Sequence, residues 1–357
     1  MEERKHDEVR RYFIWSLLAA LGFSALIASL SPALARFAKP EDQGSWWYYW
    51  QLAEPGFWSR ASAWSLYLAH QAFVWLLAWR MLKEGNHPDR MGRANKLALW
   101  GNLAFMGLHL AQTHLFYDGL AQDVPVWSSQ WSVIIMLVIV IYLLIPRRGI
   151  ALGLPLGLKS RAYGWIRRYH GYYISWALVY TFWFHPMEGD YGLLTGFFYM
   201  FLLFMQLSFA GTRLHVSLGW LAVLELTVGL HGPAIALQKF LAENTGASIF
   251  TDIWPMFLFG FAGVFVFTGQ FGFRLKPAAR AAVFGAYAGL AALVYAFRGY
   301  DRLFELSFIP VALIGGAAAL AVAANLLSGK SGAVPDRRQR LNASTKAGHT
   351  AITKPEV

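Results

Sequence analysis

Ten stretches of about 20 mostly apolar residues alternate along the chain with short polar loops. They lie near 12–34, 61–82, 97–117, 127–146, 165–186, 191–211, 214–238, 250–272, 279–297 and 304–327. A hydrocarbon core of ~30 Å is crossed by a helix of that length, so the pattern predicts an all-α, polytopic membrane bundle of ten transmembrane helices. The third stretch is the least apolar. Residues 1–327 read as one transmembrane helical domain with a paired-histidine core over 160–240. The remainder, 328–357, is basic and rich in Gly, Ser and Thr, which predicts a disordered cytoplasmic tail.

The loops alternate in charge. Cations gather in Met1–Arg11 (Arg4, Lys5, Arg10, Arg11), then at Lys83, Arg90, Arg93 and Lys96, then at Arg147, Arg148, Lys159, Arg161, Arg167 and Arg168. Arg274, Lys276 and Arg280 follow, and the tail carries Lys330, Arg337, Arg338 and Arg340. The intervening loops are acidic or mixed: Glu41, Asp42 and Glu54; Asp118 and Asp123; Glu188 and Asp190; Glu243 and Asp252. With ten alternating spans every basic loop falls on one side, so the positive-inside rule places both termini in the cytoplasm of a bacterial inner or plasma membrane. The charged amino terminus runs into an apolar stretch without a clear cleavage site, which reads as a retained first helix. The segment Ser45–Trp58, SWWYYWQLAEPGFW, reads as an external interfacial stretch with its rings at headgroup level.

Composition supports this picture. The 357 residues are 57% hydrophobic and 14% charged, against about 25% charged in soluble domains. The net charge of +11 is concentrated beside apolar runs, which argues for a lipid bilayer as partner and against nucleic acid. With no cysteine, disulfides, iron–sulfur clusters and thiolate metal sites are excluded.

Candidate chemistry rests on histidine. Of ten, His6 and His87 fall in cytoplasmic loops and His349 in the tail, whereas His70, His109, His114, His170, His185, His215 and His231 fall in or at the ends of predicted helices. One histidine in a membrane is commonly an interhelical hydrogen bonder; seven point to function. The fifth and seventh spans run in the same direction. They present His170 with His215 near the cytoplasmic face, and His185 with His231 near the external one. The separations along the chain, 15 and 16 residues, correspond to about 22–24 Å of helix. The flanks repeat as well: Arg168-Tyr169-His170 with His185-Pro186, and Arg213-Leu214-His215 with His231-Gly232-Pro233. Two facing imidazoles can ligate one haem iron, and a neighbouring arginine, Arg168 or Arg213, can pair with a propionate. On an ideal helix His170 and His185 differ by about 60°, but His215 and His231 by about 160°, so the seventh span needs a bend or bulge near Gly219 or Gly229.

Residues 160–240 thereby resemble the ferric-reductase-like transmembrane domain shared by ferric reductases, NADPH oxidases and a bacterial methionine-sulfoxide-reductase haem subunit. The resemblance implies two stacked b-type haems, the inner on His170 and His215 and the outer on His185 and His231. It also implies electron transport as an oxidoreductase subunit. No flavin or nicotinamide domain is expected after the helices, so the redox partner would be a separate reductase.

Two other readings stay open. His70, His109, His114, His185 and His231, with Asp118 and Asp123 nearby, could bind non-haem zinc or iron and act on a lipid-like substrate, although no HExxH, HxxxH or HxxHH spacing occurs. Glu225, mid-span in the seventh helix, is a candidate catalytic proton relay or a support for a histidine ligand; alone it is equally a neutral hydrogen bonder. Gln71, Gln112, Gln130, Gln206 and Gln270 make the interior polar and would suit a quinone. Together with Glu225 they would also suit a transporter path.

Overall fold

Each apolar stretch forms one helix. The computed structural model describes residues 2–41, 48–243, 248–329 and 332. Nearly all of the tail expected to be disordered, and part of Ser45–Trp58, lie outside the described residues. Among the described residues the chain is all-helical, with α1 (Glu2–Leu30), α2 (Phe57–Glu84), α3 (Arg93–Phe116), α4 (Val126–Arg148) and α5 (Ser160–Phe184) in its first half. There follow α6 (Tyr191–Ser208), α7 (Leu218–Glu243), α8 (Trp254–Phe267), α9 (Pro277–Arg298) and α10 (Phe308–Leu327). Two predicted starts move. The chain between α6 and α7 turns over 209–217, so α7 begins at Leu218, and a 3-10 helix over Tyr300–Ser307 delays α10.

Among the described residues seven helical segments are long and apolar enough to cross a membrane: α1, α4, α6, α7, α8 with the 3-10 turn Gly269–Gly272, α9, and α10 with its preceding 3-10 turn. The other three, α2, α3 and α5, fall short because their polar residues dilute them. On α2, Ser59, His70 and Gln71 are buried; on α3, Asn95, Asn102, His109, Gln112 and Thr113 are buried. The first turns of α5 carry Arg161, Arg167 and Arg168.

Two compact units emerge, Met1–Met136 with Gly171–Leu258, and Leu137–His170 with Phe259–Val357. In the first, α2 packs along α3, α6 packs along α7, and α1 and α3 both lie on α6. Gly101 shows how closely α2 and α3 approach: a Cβ there would sit 2.0 Å from Cζ of Phe73. Between membrane helices, where lipid tails are as apolar as side chains, such small-residue contacts supply the packing. Trp15, Leu18, Leu21 and Leu230 remain exposed, as lipid-facing residues do.

In the second unit α9 and α10 are joined through the 3-10 helix Tyr300–Ser307. Arg298, 7% exposed, grips Glu305 with Nε on Oε2 at 2.8 Å and Nη2 on Oε1 at 3.0 Å. Asn325 of α10 receives the Lys159 amide and donates to the Gly157 carbonyl, each at 2.7 Å, which ties down the loop before α5.

Gly101→Ala should lower stability by about 1–3 kcal/mol through this clash, and Phe73→Ala added to it should recover part of the loss. Thermal unfolding of the single and double variants checks this; an unchanged midpoint in Gly101→Ala would refute the close approach.

Candidate functional site

The C-terminal end of α5 and the middle of α7 place two histidines in the first unit. His185 follows the last turn of α5, and its Nδ1 meets the Tyr48 hydroxyl at 2.7 Å. His231 lies within α7, and its Nδ1 meets Thr195 Oγ1 of α6 at 3.0 Å. The two imidazoles are near enough to feel each other's charge. Gly196, beside Thr195, leaves room for the second ring, since a Cβ there would lie 2.8 Å from His231 Cε1. The aromatic segment expected at headgroup level therefore divides: Tyr48, 6% exposed, turns inward onto His185, while Phe57 and Trp58 stay outside, 73% and 67% exposed.

At the opposite end His215 sits in the α6–α7 turn. With no helix between 209 and 217, the 160° offset between His215 and His231 does not apply, and no bulge in α7 is required. Gln206 clasps this turn: its carbonyl accepts from His215 Nδ1 at 2.9 Å, its Nε2 donates to the His215 carbonyl at 2.9 Å, and its Oε1 accepts from Trp220 Nε1 at 2.7 Å. Gly211 makes the turn with a φ of +81°, a left-handed conformation that disfavours a side chain. His170 closes the first segment of the second unit, with Nδ1 2.7 Å from the Arg167 carbonyl. Arg168 lies over the Tyr169 ring, and Arg213 pairs with Asp89 at 3.0 Å.

The remaining intramembrane histidines have different environments. His70, 0% exposed, accepts from Trp183 Nε1 on Nδ1 at 3.1 Å. An indole only donates, so the proton resides on Nε2, which gives it to Asn102 Oδ1 at 3.0 Å. Asn102 passes on to Ser208 Oγ at 3.1 Å, and Ser208 to the Phe204 carbonyl at 2.8 Å. The His70 ring stacks on Phe105, centroids 4.1 Å apart, and both of its nitrogens are committed. His114 faces backbone carbonyls with both nitrogens, Leu110 at 2.9 Å and Leu30 at 3.3 Å. His109, also 0% exposed, stacks on Trp183 at 4.3 Å, but neither of its nitrogens makes a hydrogen bond of ordinary geometry. Glu225 lies within electrostatic reach of Tyr199 on α6. The five histidines of the non-haem reading all lie in the first unit, in unlike states. Among the described residues no three His, Asp or Glu side chains converge as a metal cage.

Several residues that matter here were not singled out from the sequence: Tyr48, Thr195, Trp183, Asn102 and Ser208. One signal was present, since Asn95, Asn102 and His109 recur every seven residues and so share one face of α3. Asn95 donates to the carbonyls of Ser208 at 2.7 Å and Ala210 at 2.9 Å, capping the end of α6.

Compared with known proteins, the chain matches no family model, no curated protein and no solved structure.

Around Tyr48 the loops supply charge and hydrogen bonds. Lys39 pairs with Glu188, which also accepts from Tyr117, and Trp50 donates to Asp190. Burial, then the nearby Asp118, Asp190 and Glu188, pushes the Tyr48 hydroxyl well above its usual range, so it stays protonated. Asp118, 0% exposed, is pushed up to about 7, chiefly by burial, although the Leu52 amide opposes the shift. A carboxyl whose folded-state pKa exceeds its unfolded value holds its proton longer in the folded state. Stability should therefore fall as pH rises from about 4 to about 7. Thermal unfolding across that range should show a steeper decline in the wild type than in Asp118→Asn; parallel profiles would contradict the buried acid.

Proposed function

We propose that this chain is a membrane-embedded b-type haem protein, an oxidoreductase subunit that passes electrons across or within a bacterial inner or plasma membrane. One observation carries the reading. In all four histidines of the two pairs Nδ1 is held by an oxygen: Arg167 O for His170, Gln206 O for His215, Tyr48 Oη for His185 and Thr195 Oγ1 for His231. Carbonyls only accept, so His170 and His215 donate from Nδ1; Thr195 gives its own proton to the Tyr191 carbonyl and so accepts from His231, while the Tyr48 hydroxyl can take either role toward His185. A neutral imidazole that donates from Nδ1 carries its lone pair on Nε2, and an outer hydrogen bond of this kind is what orients a ligating histidine. In the rival metal set, which shares His185 and His231, the added His70 and His114 engage both nitrogens with protein partners.

In this reading His185 and His231, both in the first unit, would hold the outer haem, and the spacing in the sequence assigns His170 and His215 to the inner one. Haem bound there would supply one-electron chemistry. The protein's own residues orient the imidazoles: Tyr48 and Thr195 through hydroxyls, Arg167 and Gln206 through carbonyls. The tight aromatic packing of Phe182, Trp183 and Phe197, all 0% exposed or nearly so, keeps water from the middle of the bundle. Ten spans with both termini cytoplasmic place the inner pair beside the basic loops, where a separate acidic reductase would deliver electrons. A quinone or lipid-like molecule is the acceptor class that an intramembrane outlet would serve.

His185→Ala or His231→Ala should remove about half of the haem and leave the inner one spectrally intact, and His170→Ala or His215→Ala should do the converse. His70→Ala should change haem content little. Haem extraction and spectra of the single variants decide it. Stoichiometric zinc or non-haem iron with dependence on His109 and His231 would favour the metal enzyme, and a metal-free, colourless protein the transporter.

Topology is tested separately. Reporters fused after Arg90, Lys159 and Arg280 should read as cytoplasmic, and those after Asp123 and Asp190 as external; two reversals would refute ten spans.

A further inference from the structure

The external end of the α2–α3 pair contains buried polar atoms that the protein itself leaves unmatched. His109 is 0% exposed and, although the His185 backbone lies alongside, neither nitrogen makes a hydrogen bond of ordinary geometry; Gln112 is 2% exposed with Oε1 unmatched; Asp118 is 0% exposed, and its Oδ1, near the Gly119 amide, also lacks a bond of ordinary geometry. These three are consecutive in space. His109 and Gln112 lie one turn apart on the buried face of α3, and Gln112 Nε2 donates to the Asp118 carbonyl at 2.6 Å. Asp118 in turn lies in the field of Arg60 and Asp123, whose ion pair (2.7 Å) stands at the exposed rim. The row leads from that rim inward to His109, which lies beside His185.

An orphaned buried donor or acceptor costs about 1–3 kcal/mol, and three together are rare in a native core unless something small satisfies them. Side chains one helical turn apart have Cβ atoms about 5–6 Å from each other, and one water making two hydrogen bonds of ~2.8 Å spans the same distance. A buried water needs two to four polar partners, and an imidazole, an amide oxygen and a carboxyl oxygen supply them. The site is polar on the α3 side and closed by Trp183 and Phe182 on the other, their centroids 4.3 and 4.6 Å from His109. An apolar ligand would leave the same atoms unmatched, so water is the class that fits.

We propose that Asp118, Gln112 and His109 bind a short file of ordered water connecting the external rim of the bundle to the buried imidazole. Such a file gives His109 a hydrogen-bonded connection to the outside in an otherwise dry region. It also provides a route by which protons or hydroxide reach the neighbourhood of His185. The inference does not depend on haem, since the three residues and their orphaned atoms are the same whichever group the paired histidines bind.

The direct test is a density map of the full chain in lipid nanodiscs at a resolution that shows ordered solvent. A peak within hydrogen-bond reach of both Asp118 Oδ1 and Gln112 Oε1 is expected, and its absence overturns the proposal. A second measurement concerns sign. His109→Phe keeps a flat ring but removes both orphaned nitrogens. If the site is hydrated, unfolding should shift down by about 2–4 °C, because a water loses a partner. If the site is dry, the substitution relieves a buried polar group and the midpoint rises, which also overturns the proposal. Should His109→Phe fail to fold, the map alone decides.

Discussion

Hydrocarbon offers a polar group nothing to bond to, so in this chain a buried donor or acceptor must find its partner in the protein or in bound water. That constraint shapes the first unit. The carbonyls at the end of α6 are taken by Asn95 of α3. The turn that follows is closed by Gln206, which uses its backbone and both side-chain atoms on His215 and Trp220. In the middle of the bundle a directed series runs from Trp183 through His70, Asn102 and Ser208 to the Phe204 carbonyl. Breaking any link leaves a neighbour unsatisfied at about 1–3 kcal/mol, so these contacts fix the register of α2, α3, α5 and α6 more firmly than apolar packing alone.

The same constraint explains the hydropathy of the helices. α2 and α3 carry their polar residues toward each other and toward α6, so their average apolarity drops although their outward faces suit lipid. Close approach is then achieved with glycine: Gly101 under Phe73 and Gly196 under His231. The second of these contacts is at once a packing feature and part of the site, because a larger residue at 196 would displace the ring that Thr195 orients.

Much of this was legible from the pattern of residues. Each apolar stretch became one helix, since length and apolarity act locally. That His185 and His231 come within electrostatic reach of each other agrees with the depths counted from the loops. The start of α7 was not legible. The apolar run continues from Leu214, but Gly211 and the Gln206 clasp hold the chain in a turn until Ser217, so His215 escapes the helical phase that a continuous span imposes. The inward turn of Tyr48 was hidden for a different reason: an aromatic-rich stretch beside a membrane reads as interfacial, and only the tertiary contact with His185 separates one tyrosine from its neighbours. His70 was grouped with the non-haem metal ligands as a histidine within a predicted helix; the indole and amide that occupy its two nitrogens come from α5 and α3, far away in sequence.

The account turns on four imidazoles held at Nδ1, two by hydroxyls and two by carbonyls, an arrangement that under the proposed function would turn Nε2 toward the iron. Its most direct test is the visible absorption spectrum of the purified chain, as isolated and after dithionite. Two low-spin b-type haems per chain, with the sharp bands of bis-histidine ligation on reduction, are expected. A colourless protein, purified folded from cells supplied with haem, would contradict it.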